Sequence, residues 1–271
     1  MRKDRPIDRV YTDVLVYLHG FPDMAVHPAK LDFSSRLPFK LAEAWMNEQA
    51  GRSDKSQRLA FVTFNFSGVP GSDDQFSFRN KTISHELDDA VAAVADTIAV
   101  IAGLVDLKRG MTFDFNEQQR HQFDTKGWCW KEFYLPDECP MPQHIQELSL
   151  DGESAHALPS SPDGVPRKIF LQLDQQYVQE CYSDAVDIGK TVAARGGGDS
   201  APSLVPFLII HGEDDQNVPF ANGQELFAAA DKPKQFLAIP KANHLLSNSK
   251  HLKKAIKAVL EHIQQAEASR A

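Results

Sequence analysis

The sequence predicts an α/β protein: a parallel β-sheet flanked by helices, with a long segment inserted between two of its strands. Short apolar runs that end in a polar turn alternate with segments of helical period, as in parallel strands joined by helices. Between about residues 111 and 203 this alternation stops, and the chain becomes aromatic and irregular. We therefore predict a single domain over residues 13–271, with residues 111–203 as a cap or lid inserted in it.

The first part of the chain supplies three predicted strands and two predicted helices. "DVLVYLHGF" and "RLAFVTFNFSG" are apolar runs of the kind that lie buried on both faces of a parallel sheet. Between them, "LPFKLAEAWMNEQ" places Leu37, Leu41 and Trp45 on one helical face. Ser84 is the predicted N-cap of a second helix, whose first turn is acidic. "AVIAGLVDL" follows as a third strand.

The alternation of strands and helices resumes after residue 203. "VPFLIIHG" and "KQFLAIP" are predicted buried strands, and "ANGQELFAAA" is the helix between them. The chain closes with an amphipathic helix, whose apolar stripe is formed by Leu252, Ile256, Val259 and Ile263. Within the inserted segment, "QELSLDGESAHAL" alternates polar and apolar residues around Asp151-Gly152, which predicts a small hairpin.

Composition narrows the classes of function. The formal net charge is −8, so we expect no nucleic-acid partner. Cys129, Cys139 and Cys181 have neither the even number nor the spacing of a disulfide or metal framework. No H-x-x-x-H, G-x-G-x-x-G or P-loop pattern occurs, so the sequence predicts neither a metal nor a cofactor. The apolar run at 90–105 is too short to span a bilayer, and "MRKDRPIDRV" has no signal-peptide core. We expect a cytoplasmic protein without a membrane span.

Three features at strand ends carry the candidate chemistry. After the first strand, Gly20 permits a sharp turn that leaves the amide of Phe21 able to donate to a developing oxyanion. After "FLIIHG", an acid in the turn can orient an imidazole; Asp215 is the preferred residue and Asp214 the alternative. His244 follows the last strand, where a general base would lie near that acid. We therefore expect Asp215 and His244 to lie within hydrogen-bond reach.

These motifs together resemble a known superfamily. "YLHGF", "FVTFNFSGVPGSD", "VPFLIIHGEDDQNVP" and "IPKANH" are similar to successive motifs of the α/β hydrolases, most closely the serine esterase and S33 aminopeptidase-like group. The resemblance covers most of residues 13–262. It implies hydrolysis of carboxylic esters, thioesters or peptides, with a small ester or acyl compound as substrate or ligand. It also implies that Phe21 supplies an oxyanion-hole amide, Asp215 is the catalytic acid and His244 is the base.

The nucleophile of that superfamily cannot be recognised in the chain. The family carries it in G-x-S-x-G on a tight strand-to-helix turn, and no such pattern occurs in the 271 residues. By the family pattern, the strand that ends at the nucleophile turn and the helix after it are missing before "AVIAGLVDL". We therefore predict that the strand "AVIAGLVDL" lies beside "FVTFNFSG" in the sheet. Gly152-Glu153-Ser154 carries half of the motif, in the right order before the acid and base. Residue 156 is His instead of Gly, which favours a cap hairpin, and Ser154 remains a candidate only.

Gly127-Trp128-Cys129 is similar to a cysteine elbow, but Trp130 and Lys131 cannot fit a turn that needs small residues.

Two hypotheses about the function of the chain therefore compete. In one, the chain is a working hydrolase whose nucleophile is unrecognised or whose elbow segment is missing from a truncated form. In the other, it is a catalytically inactive hydrolase-fold protein that binds a ligand or a partner. Fold resemblance does not choose between them.

Overall fold

The computed structural model describes residues 13–18, 20, 37–51, 59–63, 66, 68, 78–91, 97–135, 167–183, 187–189 and 205–269. The predicted oxyanion residue Phe21, the candidate Ser154 and the predicted hairpin around Asp151-Gly152 lie outside these residues.

The described strands form two parallel groups and one antiparallel ribbon. The strands are β1 (Asp13–Tyr17), β2 (Leu59–Thr63), β3 (Ile98–Ile101), β4 (Trp128–Leu135), β5 (Arg167–Asp174), β6 (Phe207–Gly212) and β7 (Lys234–Ile239). β1 pairs with β2 in parallel, and β3, β6 and β7 form a parallel sheet in the order β3-β6-β7. β4 and β5 pair antiparallel within the predicted cap. The predicted parallel architecture is therefore present.

Helices connect these strands. They are α1 (Leu37–Gly51), α2 (Ile83–Val91), α3 (Leu107–Asp114), α4 (Glu117–Lys126), α5 (Gln175–Tyr182), α6 (Phe220–Ala229) and α7 (Ser249–Ala268), with a 3-10 turn at Phe78–Asn80. None of the described helices is both long and apolar enough to cross a membrane.

Strand β6 divides the core of the sheet between its two faces. All six residues of β6 are buried, as expected for a parallel strand covered on both sides. Because side chains alternate along a strand, Leu208 and Ile210 pack with α1 and α7, whereas Phe207 and Ile209 pack with α6. Residues of β1 and β2 also pack against the first of these groups, which we call the α1–α7 cluster. It consists of Leu37, Leu41, Leu208, Ile210, Ile239, Ala242, Leu246, Leu252, Ala255, Ile256 and Val259. One helix layer therefore covers both parallel groups.

The position predicted for the third strand is not found among the described residues. β3 pairs with β6, from Ile98↔Phe207 to Ile101↔Ile210, and no described ladder joins it to β2. An apolar run indicates that a strand is buried, but every strand of a parallel sheet shares that pattern. The neighbour of a strand therefore cannot be read from the run alone.

The first part of the inserted segment is more regular than expected. Residues 111–135, predicted to be irregular, lie mostly in α3, α4 and β4. Asn116 and Gln119 form a capping box at the start of α4, and Gly127 ends that helix with a φ of 77°. These caps fix the helix ends, and Phe123 between them is buried.

The predicted N-cap Ser84 is wrong. α2 begins at Ile83, and the hydroxyl of Thr82 accepts a hydrogen bond from the amide of His85 at 3.2 Å. The amide of Ser84 instead donates to Glu180 of α5 at 2.9 Å. Both residue types suit a cap, and Thr82 lies two positions before Ser84.

A separate cluster of side chains, which we call the cap core, forms where β4, β5, α3, α4 and α5 meet the 3-10 turn and the start of α2. It consists of Phe66, Phe78, Ile83, Met111, Phe115, Phe123, Cys129, Leu171, Leu173, Tyr177 and Cys181. Arg79 holds the end of β5 to the 3-10 turn through its Nε, which lies 2.9 Å from Oδ1 of Asp174. The predicted cap thus shares its core with residues 78–83, which precede it in the chain.

A buried histidine joins the last helix to β3. His262 is almost fully buried, and its Nε2 lies 2.8 Å from Oγ1 of Thr97. Burial lowers the pKa of His262. Hydrogen bonds involving the backbone of Pro206 and Ile98 act to raise this pKa, but their effect is smaller. The folded state therefore favours the neutral imidazole, and its contribution to stability should be lost as the pH falls below the ordinary histidine pKa of about 6.5.

We expect the melting temperature of the wild type to fall more steeply between pH 7 and pH 5 than that of His262→Gln. The glutamine side chain can hydrogen-bond to Thr97 but does not titrate in this range. Calorimetry at several pH values measures the difference. His251→Gln, at a half-buried position on the same helix, should keep the slope of the wild type. Equal slopes for the wild type and His262→Gln would contradict the prediction.

Candidate functional site

The predicted acid lies in the turn after β6. The Asp215 side chain is fully buried, and its Oδ1 accepts hydrogen bonds from the amides of Asn217 at 2.9 Å and Val218 at 2.8 Å. Two amides on one oxygen fix the plane of the carboxylate, so its other oxygen, Oδ2, has a defined direction. The side chain of the alternative, Asp214, is exposed.

Backbone contacts bring the end of β6 against the loop that follows β7. The amide of Glu213 donates to the carbonyl of Ile239 at 3.1 Å, and the amide of Asp214 donates to that of Ala242 at 3.0 Å. A Cβ at Gly212 would lie 2.3 Å from the Ala242 carbonyl oxygen, so only glycine permits this approach. The glycine of the sequence "HGEDD" therefore places the acid turn beside the loop that carries His244.

The His244 loop is held from within. The amide of Ser247 donates to Oδ1 of Asn243 at 3.0 Å, and Nδ2 of Asn243 lies 3.1 Å from the hydroxyl of Ser247. Leu246 is buried in the α1–α7 cluster and has a positive φ of 50°. Between these anchors the side chain of His244 keeps 31% of its surface exposed. The histidine is therefore both positioned and accessible.

The acid and the histidine are hydrogen-bonded. Nδ1 of His244 lies 2.9 Å from Oδ2 of Asp215, which confirms the predicted proximity. A carboxylate only accepts, so Nδ1 carries a proton, and in the neutral imidazole Nε2 carries the ring lone pair. This is the tautomer that a general base needs.

Electrostatics keep the acid ionised. Burial acts to raise the pKa of Asp215, but hydrogen bonds from His211, His244 and the Val218 amide outweigh it and hold that pKa well below its ordinary value. At neutral pH the site therefore contains a carboxylate that can stabilise an imidazolium.

The alternative cysteine does not fit a nucleophile. Cys129 lies on β4 in the cap core and has no exposed surface. Burial raises the pKa of its thiol to about 12, although the Lys131 charge opposes this. A thiol that stays protonated and covered is not reactive.

The fold and the Asp–His pair together resemble the hydrolases. Residues 172–269 match the Prolyl oligopeptidase family, a stretch of less than half the chain that contains both Asp215 and His244. No curated protein sequence matches the chain. Because this match is to another group of peptidases, the S33-like assignment stays a prediction.

Solved structures match nearly the whole chain. The DcsB complex with its substrate analogue is 13% identical with a TM-score of 0.54, covering 96% of this chain and 92% of its own. The α/β hydrolase GrgF from Penicillium sp. sh18 is 13% identical with a TM-score of 0.52, covering 94% and 89%. Est1E from Butyrivibrio proteoclasticus, bound to ferulic acid, is 15% identical with a TM-score of 0.50, covering 95% and 90%. The chain has the α/β-hydrolase fold, as predicted.

Sequence reasoning missed one residue of the site. His211, the penultimate residue of β6, is buried with its Nε2 3.5 Å from Oδ2 of Asp215. A histidine inside the apolar run "FLIIHG" was the available signal, because a buried imidazole needs a polar partner.

Proposed function

We propose that this protein hydrolyses a small carboxylic ester, thioester or peptide, with Asp215 as the acid and His244 as the base. The 2.9 Å hydrogen bond between Nδ1 of His244 and Oδ2 of Asp215 carries the proposal. The solved structures of similar fold include Est1E bound to ferulic acid and DcsB bound to a substrate analogue. These two support a small-molecule substrate.

The geometry supports the following steps. Nε2 of His244 takes a proton from the attacking group, here water, and the resulting hydroxide adds to the substrate carbonyl carbon. The ionised Asp215 stabilises the imidazolium that forms. The imidazolium then returns the proton to the leaving alkoxide, thiolate or amine, so that the products are the acid and the alcohol, thiol or amine. We propose that the Phe21 amide stabilises the oxyanion and that no cofactor takes part.

Water is the proposed attacking group because the sequence contains no G-x-S-x-G motif. We propose that the elbow segment is missing and that Ser154 lies in a cap hairpin. Residues 111–203 are the proposed cap of a single domain over 13–271. Without a covalent intermediate the reaction should be slow, since a weak nucleophile must attack in one step.

The test is hydrolysis of p-nitrophenyl acetate by matched variants. His244→Ala and Asp215→Ala should both lower the rate, because each removes the base or its orientation and leaves only what the oxyanion hole and binding supply. Asp214→Ala, at the exposed neighbouring carboxylate, and His251→Ala, on α7, should keep the wild-type rate. A rate that His244→Ala leaves unchanged would show that the pair does not carry the activity.

A further inference from the structure

His211 makes two contacts that involve the acid turn. Its Nε2 lies 2.9 Å from the carbonyl oxygen of Val218 and 3.5 Å from Oδ2 of Asp215. The side chains of His211 and Asp215 are both fully buried. Val218 also donates its amide to the other oxygen of the same carboxylate. The imidazole therefore lies against both the turn that holds Asp215 and the oxygen that faces His244.

The contact with Val218 determines the tautomer of His211. A carbonyl oxygen only accepts, so Nε2 carries the proton. Nδ1 then carries the lone pair, and among the described residues no hydrogen-bond partner reaches it. The single N–H of His211 thus points toward Val218, with the longer contact to Oδ2 as its second acceptor.

The helix beside His211 is adapted to its ring. Gly223 lies inside α6, where glycine is less favourable than alanine. A Cβ at residue 223 would approach within 2.5 Å of Nδ1 and 2.9 Å of Cγ of His211. The ring of Phe220, from the same helix, lies edge-on with its centroid 5.9 Å away. Helix α6 therefore fits closely around the imidazole, and the glycine that allows this makes the helix less stable.

Both oxygens of the Asp215 carboxylate make polar contacts. The amides of Asn217 and Val218 occupy Oδ1, while His244 at 2.9 Å and His211 at 3.5 Å approach Oδ2. His211 reaches the carboxylate directly, and also through the backbone turn that carries these amides. Loss of its N–H would leave the Val218 carbonyl and the buried carboxylate without that donor.

We propose that His211 is a positioning residue, which holds the 215–218 turn and the Asp215 carboxylate in the orientation that binds His244. The role rests on the proposed function, in that Asp215 and His244 are its acid and base. His211 itself lies inside the fold and takes no part in proton transfer.

The experiment is proton NMR of the full chain at neutral pH, observing the Nδ1–H resonance of His244. That proton lies in the hydrogen bond to Asp215, so its chemical shift and exchange with water report the bond directly. His211→Gln places an amide nitrogen near the position of Nε2, whereas His211→Asn places one near that of Nδ1. The variants His211→Gln and His211→Asn are therefore polar and matched, and differ in where the donor lies.

We expect His211→Gln to keep the resonance at its wild-type position. His211→Asn should shift it upfield and broaden it through exchange with water, while the other resonances remain those of a folded chain. Gly223→Ala, which leaves residue 211 unchanged but crowds its ring, should act in the same direction as His211→Asn. A merely structural role would change stability without moving this signal.

An unchanged resonance in both His211→Asn and Gly223→Ala would overturn the proposal. A downfield shift in His211→Asn would also overturn it, because His211 would then compete with His244 instead of holding the acid for it. If His211→Asn fails to fold, loss of the signal in folded His211→Gln likewise counts against the role of the N–H. The measurement needs no turnover, so failure of the hydrolysis assay alone rejects the proposed function and leaves this inference standing.

Discussion

Purified protein should turn over p-nitrophenyl acetate and butyrate far more slowly than roughly 1 s⁻¹, the low end of ordinary enzymatic rates. In the proposed function Asp215 and His244 orient and transfer a proton, and the proposed absence of a poised nucleophile closes the covalent route. Removal of a triad nucleophile leaves about 10³- to 10⁴-fold acceleration over water, from the oxyanion hole and binding. The proposed loss of the elbow would also remove one donor of that hole, since the second amide normally follows the nucleophile.

A fluorophosphonate probe tests the same expectation without a substrate. It labels serines that an adjacent base activates, so this protein should remain unlabelled on intact-mass analysis. Ser154→Ala should behave as the wild type in both assays. Turnover of roughly 1 s⁻¹ or more that His244→Ala abolishes, together with a label on Ser154, would overturn the prediction. It would show that Ser154 is the nucleophile.

The features predicted correctly from sequence are those that local patterns determine. β6 was visible because a parallel strand buried on both faces is apolar at every position. Asp215 and His244 could be paired because each follows a parallel strand, and the carboxyl ends of parallel strands meet at one edge of a sheet. Gly212, which allows the acid turn to approach the loop at Ala242, is also part of the sequence motif "HGEDD".

The features that were missed depend on which elements meet in space. The partner of β3 is β6, a strand more than a hundred residues later, and nothing in the run "AVIAGLVDL" names that partner. His211 acquires its role only when the turn at Val218 folds back over it and α6 brings Gly223 against its ring. Single-residue patterns do not contain such contacts, so they could not predict them.

The cap core offers the largest expected loss of stability, because the ring of Phe115 is fully buried among its other aromatic rings. The ring has no exposed surface, and its centroid lies 5.2 Å from that of Phe123 and 6.0 Å from that of Tyr177. Nζ of Lys131 lies over the ring, 4.3 Å from the centroid. Burial lowers the pKa of Lys131 to about 8, while Cys129 and Asp114 act to raise it. Removing the ring would therefore leave a cavity beneath a poorly solvated amine.

Phe115→Ala should lower the free energy of unfolding of the cap by about 3–5 kcal/mol, the usual cost of truncating a buried phenylalanine. Its transition should fall by on the order of 10 °C.

Trp128 and Trp130 on β4 report the unfolding of the cap once Trp45→Phe has removed the third tryptophan. Trp45 on α1, which donates to the carbonyl of Ala60 at 2.8 Å, reports the sheet domain in a Trp128→Phe/Trp130→Phe background. Because the cap core shares no residue with the α1–α7 cluster, the Trp45 transition should stay within a few degrees. Tyr182→Ala, at an exposed position on α5, should change neither transition appreciably. If Phe115→Ala lowers both transitions together, the cap is not a separate unit of the fold.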